Sequence, residues 1–334
     1  MNKITVIGSG GWGTAIAVML AKNNNEVTLF SVFSSEIEQL EKDRENKKLL
    51  PGIKIPENVN LTFDTDCAQG AGLLIFATPS FAVRSTAKLF SHKIKKGAVI
   101  VNLAKGLEES TYMRLSQVLK EELPQAKIAI MSGPSHAEEV ARGIPTTNVI
   151  CADEPQTAEY VQEIVMNPQF RVYTNTDIVG AELGGALKNV IALAAGICDG
   201  MGFGDNTKAA LMTRGITEMV RLGVSMGAKA ETFAGLTGVG DLIVTCTSVH
   251  SRNHRAGVLI GKGRTALQAM EEVGMTVEGY KTAAVAYALA QKYGVELPII
   301  NEIYEVLYND KPTKQAISDL MGREKRREME DMWV

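Results

Sequence analysis

Cysteine is scarce and scattered. The four present (Cys67, Cys151, Cys198, Cys246) form no CxxC pair and have no histidine cluster beside them. That excludes a disulfide framework and a structural zinc site of the usual spacing. No uninterrupted apolar run reaches the roughly 18 residues that a membrane-crossing helix needs. The first apolar stretch, Ile4–Ile7, is too short for a secretory leader, so no signal peptide is expected. A large excess of either charge is also missing. The net value of −3 gives no general attraction for nucleic acid or an anionic membrane, so any anion site must be local. Repeats and low-complexity segments are absent as well. What remains is the composition of an ordinary soluble globular chain, 45% hydrophobic and 22% charged over 334 residues, long enough for two domains. The expectation is a cytoplasmic protein with a small-molecule ligand, no nucleic acid, no membrane insertion and no metal.

Lys3–Ile7 is a short β-branched run that reads as a buried strand. It enters Gly8-Ser9-Gly10-Gly11-Trp12-Gly13, a GxGxxG, followed by a helical stretch and the strand-like EVTLFS. In such a βαβ unit Gly8 permits the tight turn, Gly10 lets backbone approach a pyrophosphate, and Gly13 lets helix and strand pack closely. The helix N-terminus then supplies N–H groups and a positive dipole to the phosphates. After the second strand an acid is expected for a free ribose 2′-hydroxyl, or an arginine for a 2′-phosphate. Ser31-Val32-Phe33-Ser34-Ser35 offers neither before Glu36, so NAD and NADP both stay open. Glu36–Lys48 reads as a solvated helix.

Further strands are expected at Leu73–Thr78, Ala98–Leu103, Ile128–Met131, Val149–Cys151 and Arg171–Thr174. Three of them end in small polar loops, at Thr78-Pro79-Ser80, Ala104-Lys105-Gly106 and Ser132-Gly133-Pro134-Ser135-His136-Ala137. Ligands of open parallel sheets sit beyond the strands' carboxyl ends. Lys105, Ser135 and the Gly133 backbone are therefore candidates for one crevice, against the plainer reading of ordinary turns. After Thr176 the pattern is helical. The fold expected is α/β: a Rossmann-like, doubly wound, mostly parallel sheet over 1–178, then an all-helical domain over 179–334.

Ala181–Gly196 opens the helical part. Around Lys188 the neighbours on one face are Ala181, Gly184, Gly185, Ile191, Ala192 and Ala195, all small but Ile191. Glycine costs a helix interior about 0.5–1 kcal/mol relative to alanine, so something requires close approach there. Either a ligand lies on that face and meets Lys188, or another helix crosses tightly and the lysine snorkels to water. Gly200–Asn206 reads as a loop, Lys208–Met226 as a helix, and Met275–Lys281 as a loop-to-helix junction. Ser251 is a good N-cap, which puts Arg252 and Asn253 in a first helical turn. A basic residue there opposes the dipole unless an anion joins it, so a phosphate site competes with a merely capped helix. The mixed-charge tail Gly322–Glu330 reads as a solvated helix.

GSGGWG at Gly8–Gly13, AKGLE at Ala104–Glu108, SGPSHA at Ser132–Ala137, ELGGALKNVIALAAG at Glu182–Gly196, GVGDLIVTCT at Gly238–Thr247 and SRNHRAG at Ser251–Gly257 stand in order along the chain. Together they closely resemble the NAD(P)-dependent glycerol-3-phosphate dehydrogenases of the soluble bacterial type. The resemblance implies Lys188 as proton acceptor, with Lys105 and Asp241 flanking the reacting carbon. It implies substrate contacts from Gly133, Ser135, Ser251, Arg252 and Asn253, with Asn189 and Thr245 at polar positions near the substrate. It implies dinucleotide contacts from Gly11, Trp12, Lys105, Ala137, Arg252, Thr276 and Glu278. It further implies a homodimer that supplies glycerol 3-phosphate to phospholipid synthesis. Ser31-Val32-Phe33 departs from relatives that carry a basic residue there.

The chemistry asks for a specific lysine. An amine accepts a proton only when neutral, so its pKa must fall from about 10.4 towards the working pH. Burial and a second cation, such as Lys105, push it down. Asp241 must orient the amine without keeping it charged. A β-hydroxyacid dehydrogenase is the nearest alternative enzyme. A redox-sensing regulator would need a basic surface or partner module, and neither is evident.

Overall fold

The computed structural model describes residues 2–325, 327 and 328. The chain packs as two compact units. One takes the chain up to Ala104 together with Met113–Ile178; the other takes Lys105–Tyr112 and the chain from Val179 onward.

In the first unit the elements run β1 (Lys3–Ile7), α1 (Gly11–Lys22), β2 (Glu26–Phe30), α2 (Ser34–Asp43), β3 (Val59–Thr62), β4 (Leu73–Phe76) and α3 (Val83–Phe90). They continue as β5 (Val99–Asn102), α4 (Leu115–Glu122), β6 (Lys127–Ser132), α5 (Ala137–Ala141), β7 (Thr146–Ala152), α6 (Pro155–Val165) and β8 (Phe170–Asn175). The eight strands form one sheet in the order β3-β2-β1-β4-β5-β6-β7-β8. All pairs are parallel except β6 with β7. The order reverses between β1 and β4, which makes their carboxyl ends the switch point at which doubly wound sheets take ligands. The apolar strand residues divide with period two. Val6, Ile75 and Val101 face a core shared with Ile16 and Leu20 of α1, whereas Ile7, Leu74 and Ile100 face one shared with Ala87 and Leu119. With helices on both faces the central strands bury every residue, hence their unbroken apolar runs.

One strand is added to the expected set and one expectation is corrected. The added strand is β3, with one fully buried residue in four. The helix expected over Glu36–Lys48 spans Ser34–Asp43 instead. Arg44 turns left-handed at φ +46° and ends it. The chain then folds back so that the Asn46 side-chain amide reaches the Ser9 carbonyl at 2.8 Å.

The second unit is helical: α7 (Ile178–Gly200), α8 (Asp205–Ser225), α9 (Ala230–Ala234), a π-type turn (Leu236–Gly240), α10 (Asp241–Thr247), α11 (Arg252–Gly261), α12 (Ala266–Val273), α13 (Glu278–Tyr293), α14 (Pro298–Tyr308) and α15 (Thr313–Met321). α7 starts before and ends after the expected Ala181–Gly196, so the expected loop shrinks to the residues between Gly200 and Asp205. By length and composition α7 is apolar enough to cross a membrane, but 94% of its most apolar stretch is buried in the protein. It is the core helix of this unit. The tail helix is not found. α15 stops at Met321, residues 322–325 are exposed and non-helical, and residues 326, 329 and 330 lie outside the described residues.

Glycines set the spacing around α7. A methyl at Gly257 would strike the Leu193 carbonyl, and one at Gly261 the Ile197 carbonyl. From the other side, Gly196 and Gly200 meet the carbonyls of His254 and Val258. α7 and α11 thus run side by side with backbones almost touching, an approach that a Cβ on either side would prevent.

Candidate active site

Lys188 lies on α7 with only 5% of its surface exposed. Its Nζ donates to Asp241 Oδ1 at 2.7 Å and to Thr245 Oγ1 at 2.6 Å. The Thr245 hydroxyl in turn donates to the Asp241 carbonyl at 2.6 Å, so towards Lys188 it acts as an acceptor. Lys105 Nζ donates to the other oxygen of the same carboxylate, Asp241 Oδ2, at 2.7 Å. One buried acid therefore holds two ammonium groups, one on each oxygen. Burial lowers the Lys188 pKa to about 8; the Lys105 charge pulls the same way, and the Asp241 charge opposes both. Burial alone would raise the Asp241 carboxyl, yet the ammonium groups of Lys105 and Lys188 hold it below the usual carboxylate range.

Each member is placed by its element. Lys105 follows β5 but packs with the helices, because Leu107 is buried in the same core as Leu183, Leu187 and Leu242. Sequence reading singled out the lysine and missed the leucine that anchors it, because its burial partners lie far along the chain and leave no local signal. Asp241 opens α10, where the helix dipole favours a carboxylate. The π-type turn before it lies against α7 at Gly184, where a methyl would sit 2.5 Å from the Thr237 carbonyl. The smooth face of α7 is thus a surface for backbone, as one of the two sequence readings held. Its lysine does not snorkel, however; it is held inside by Asp241 and Thr245.

Ser251 caps α11, its hydroxyl accepting from the His254 N–H at 3.2 Å. Arg252 is the first residue of that helix and half-buried. Asn253 joins three helices. Its amide donates to Asn189 Oδ1 at 2.9 Å, and its Oδ1 accepts from the Gly279 N–H at 2.8 Å. The Asn189 amide reaches back to the Lys105 carbonyl at 3.4 Å. Thr276 and Glu278 flank the start of α13, next to that joint. Lys105, Lys188, Asn189, Asp241, Thr245, Ser251, Arg252, Asn253, Thr276 and Glu278 all belong to the helical unit.

The remaining candidates lie in the sheet unit. Ser135 Oγ donates to the Gly133 carbonyl at 2.9 Å just beyond β6, Gly133 sits at φ +129°, and Ala137 starts α5. At the switch point Gly8 has φ +116°, and a Cβ there would lie 2.8 Å from the Ala77 carbonyl. A methyl at Gly13 would strike the Gly8 carbonyl, whereas one at Gly10 would meet nothing within 4 Å. α1 begins at Gly11 with no side chain capping it and no acid in its first turn. Trp12 packs beside it against both neighbouring apolar clusters. Thr78 Oγ1, buried at the end of β4, has no hydrogen-bond partner among the described residues. An uncapped helix N-terminus behind an open glycine turn fits a dinucleotide pyrophosphate. Among the described residues no group of three or more His, Cys, Asp or Glu is placed to hold a metal ion.

Two family models match the chain: the NAD-dependent glycerol-3-phosphate dehydrogenase N-terminus over residues 3–158 and the C-terminus of the same family over residues 177–318. A curated protein of Desulfitobacterium hafniense, named glycerol-3-phosphate dehydrogenase [NAD(P)+], is 52% identical over 99% of this chain and 94% of its own. One of the same name from Moorella thermoacetica is 53% identical over 98% of each. Among solved structures, the glycerol-3-phosphate dehydrogenase of Coxiella burnetii superposes with a TM-score of 0.92 at 36% identity, covering 96% of this chain and 98% of that one.

Proposed function

Because the chain belongs to the NAD-dependent glycerol-3-phosphate dehydrogenase family, we propose that it interconverts sn-glycerol 3-phosphate and dihydroxyacetone phosphate with NAD(P)(H), acting on a CH–OH group. One observation carries this reading: a buried lysine whose pKa is brought down to about 8, oriented by a carboxylate that it shares with a second lysine.

When bound, the nicotinamide supplies or accepts the hydride at C2. The chain's own residues handle the proton. Two of the three hydrogens on charged Lys188 are taken by Asp241 and Thr245. The third is left for the oxygen on C2. In reduction, the Lys188 ammonium polarises the ketone and passes that proton to the developing alkoxide. In oxidation, neutral Lys188 takes the hydroxyl proton. With a pKa near 8 about one molecule in ten carries neutral Lys188 at pH 7, against about one in several thousand for an unperturbed lysine. Lys105 keeps Asp241 occupied, which limits how firmly that carboxylate holds the Lys188 proton. Arg252, at the first turn of α11, binds the phosphate of the substrate with Ser251 and Asn253 beside it. Glycerol 3-phosphate for phospholipid synthesis, a cytoplasmic setting and a homodimer complete the proposal.

The test is oxidation of NADH and of NADPH followed separately with dihydroxyacetone phosphate, for wild type and Arg252→Ala. The wild type is expected to turn over. The variant is expected to lose substrate binding by about 2–5 kcal/mol, seen as a raised KM. No turnover with either dinucleotide refutes the activity; an unchanged KM refutes the role of Arg252.

A further inference from the structure

The residues after β2 contain no group of positive charge and, within the first five positions, no acid: Ser31, Val32, Phe33, Ser34, Ser35. The fold nevertheless brings an acid back to that place. Glu36, in the first turn of α2, accepts hydrogen bonds from two buried hydroxyls on one carboxylate oxygen. Ser9 Oγ donates to Oε2 at 2.6 Å and Ser31 Oγ to the same Oε2 at 2.7 Å. Both donors are themselves fixed. Ser9 lies in the glycine turn, and its carbonyl accepts from the Asn46 amide at 2.8 Å and the Thr14 hydroxyl at 3.2 Å. Ser31 Oγ accepts from the Phe33 N–H at 3.3 Å. The turn is also tied to β2 directly, Gly8 N–H donating to the Phe30 carbonyl at 2.8 Å.

In a βαβ dinucleotide unit the glycine turn holds the pyrophosphate, and the end of the second strand meets the adenosine ribose. A carboxylate hydrogen-bonded to both is placed at the ribose, with Oε1 receiving neither serine. We infer that Glu36 is the residue that selects NAD(H) over NADP(H): its carboxylate accepts from the ribose 2′-hydroxyl and repels a 2′-phosphate. Ser9 and Ser31 are positioning residues that hold the carboxylate there. Val32 and Phe33 are 63% and 60% exposed and apolar, and the nearest downstream arginine, Arg44, donates instead to the carbonyls of Pro56 and Val59. The inference rests on the dinucleotide-binding reading of the glycine turn and adds the choice of ligand.

The experiment is equilibrium binding, by nucleotide fluorescence, of NADH and NADPH to the full-length wild type and to Glu36→Gln, with turnover as a second readout. Glutamine keeps the length and an acceptor for the serines and removes the charge. The wild type is expected to bind NADH at least about tenfold more tightly than NADPH, as a like charge within a few ångströms of a phosphate demands. In Glu36→Gln that ratio is expected to fall about tenfold or more, mainly through tighter NADPH. Equal binding by the wild type, or an unchanged ratio in the variant, overturns the assignment of Glu36. If neither nucleotide binds, the glycine turn is not a dinucleotide site, and both readings fall together.

Discussion

Replacing Asp241 by asparagine separates a catalytic role for Lys188 from a structural one. The carboxylate is 1% exposed and holds Lys188 and Lys105 at 2.7 Å on opposite oxygens. Asparagine keeps the shape but leaves two ammonium groups near each other without a counter-charge. Removing one partner of a buried pair costs about 3–5 kcal/mol, and here one substitution strips both lysines. The same change removes the main influence that raises the Lys188 pKa, leaving burial and the Lys105 charge, which both lower it. The inflection in the rate is therefore expected to move at least about one pH unit below 8. Reduction needs the ammonium, so its rate in the wild type falls as pH rises through about 8; in Asp241→Asn it falls already below pH 7. Oxidation needs the neutral amine and follows the opposite limb. The companion variant Lys188→Met leaves Asp241 paired with Lys105, so it should lose less stability than Asp241→Asn and yet have lost turnover. The assays are denaturant unfolding and kcat against pH in both directions. An unmoved inflection in Asp241→Asn, or full turnover in Lys188→Met, refutes Lys188 as the proton-transfer group.

Gly10→Ala should leave the unfolding midpoint unchanged, since its methyl enters open space, while dinucleotide affinity falls about tenfold or more; equal affinity in a binding titration would remove the turn from the site. Glu218, buried on α8, accepts from the N–H groups of Ile299 and Ile300 at 2.7 and 3.1 Å, and burial raises its pKa to about 7. Its folded pKa lies above its unfolded value of 4.5, so between about pH 4.5 and 7 the folded state holds the extra proton and stability falls as pH rises. Glu218→Gln should flatten that part of a melting-temperature profile; an unchanged slope would show that Glu218 is not its source.

Local patterns were more legible than the distant contacts that bring them together. GxGxxG, the lone lysine of α7 and the SRN cap are local patterns, and local backbone physics gives each one a meaning. Strands buried on both faces were found for the same reason, and the half-exposed edge strand β3 was lost. Contacts distant in sequence left no local trace. Nothing in AKGLE says that Leu107 is buried among helices starting more than seventy residues later, although that burial presents Lys105 to Asp241. Likewise Glu36 reads as one more charge on a solvated helix until the turn of the chain sets it between Ser9 and Ser31.

The pairing of α7 with α11 shows how packing and site are one problem. Asn189 bonds Asn253, Leu193 abuts Gly257, and Ile197 abuts Gly261. The offset is constant, so the two helices advance together, four residues at each step. Alanine at Gly257 or Gly261 would push the backbones apart and change that register. Because the register is fixed by carbonyls against glycines, the helices cannot slide without a collision. The first contact in the series sits one residue from Lys188 on one helix and one residue from Arg252 on the other. The glycines further along thus hold the cationic first turn of α11 level with Lys188. That explains why small residues recur past Gly196.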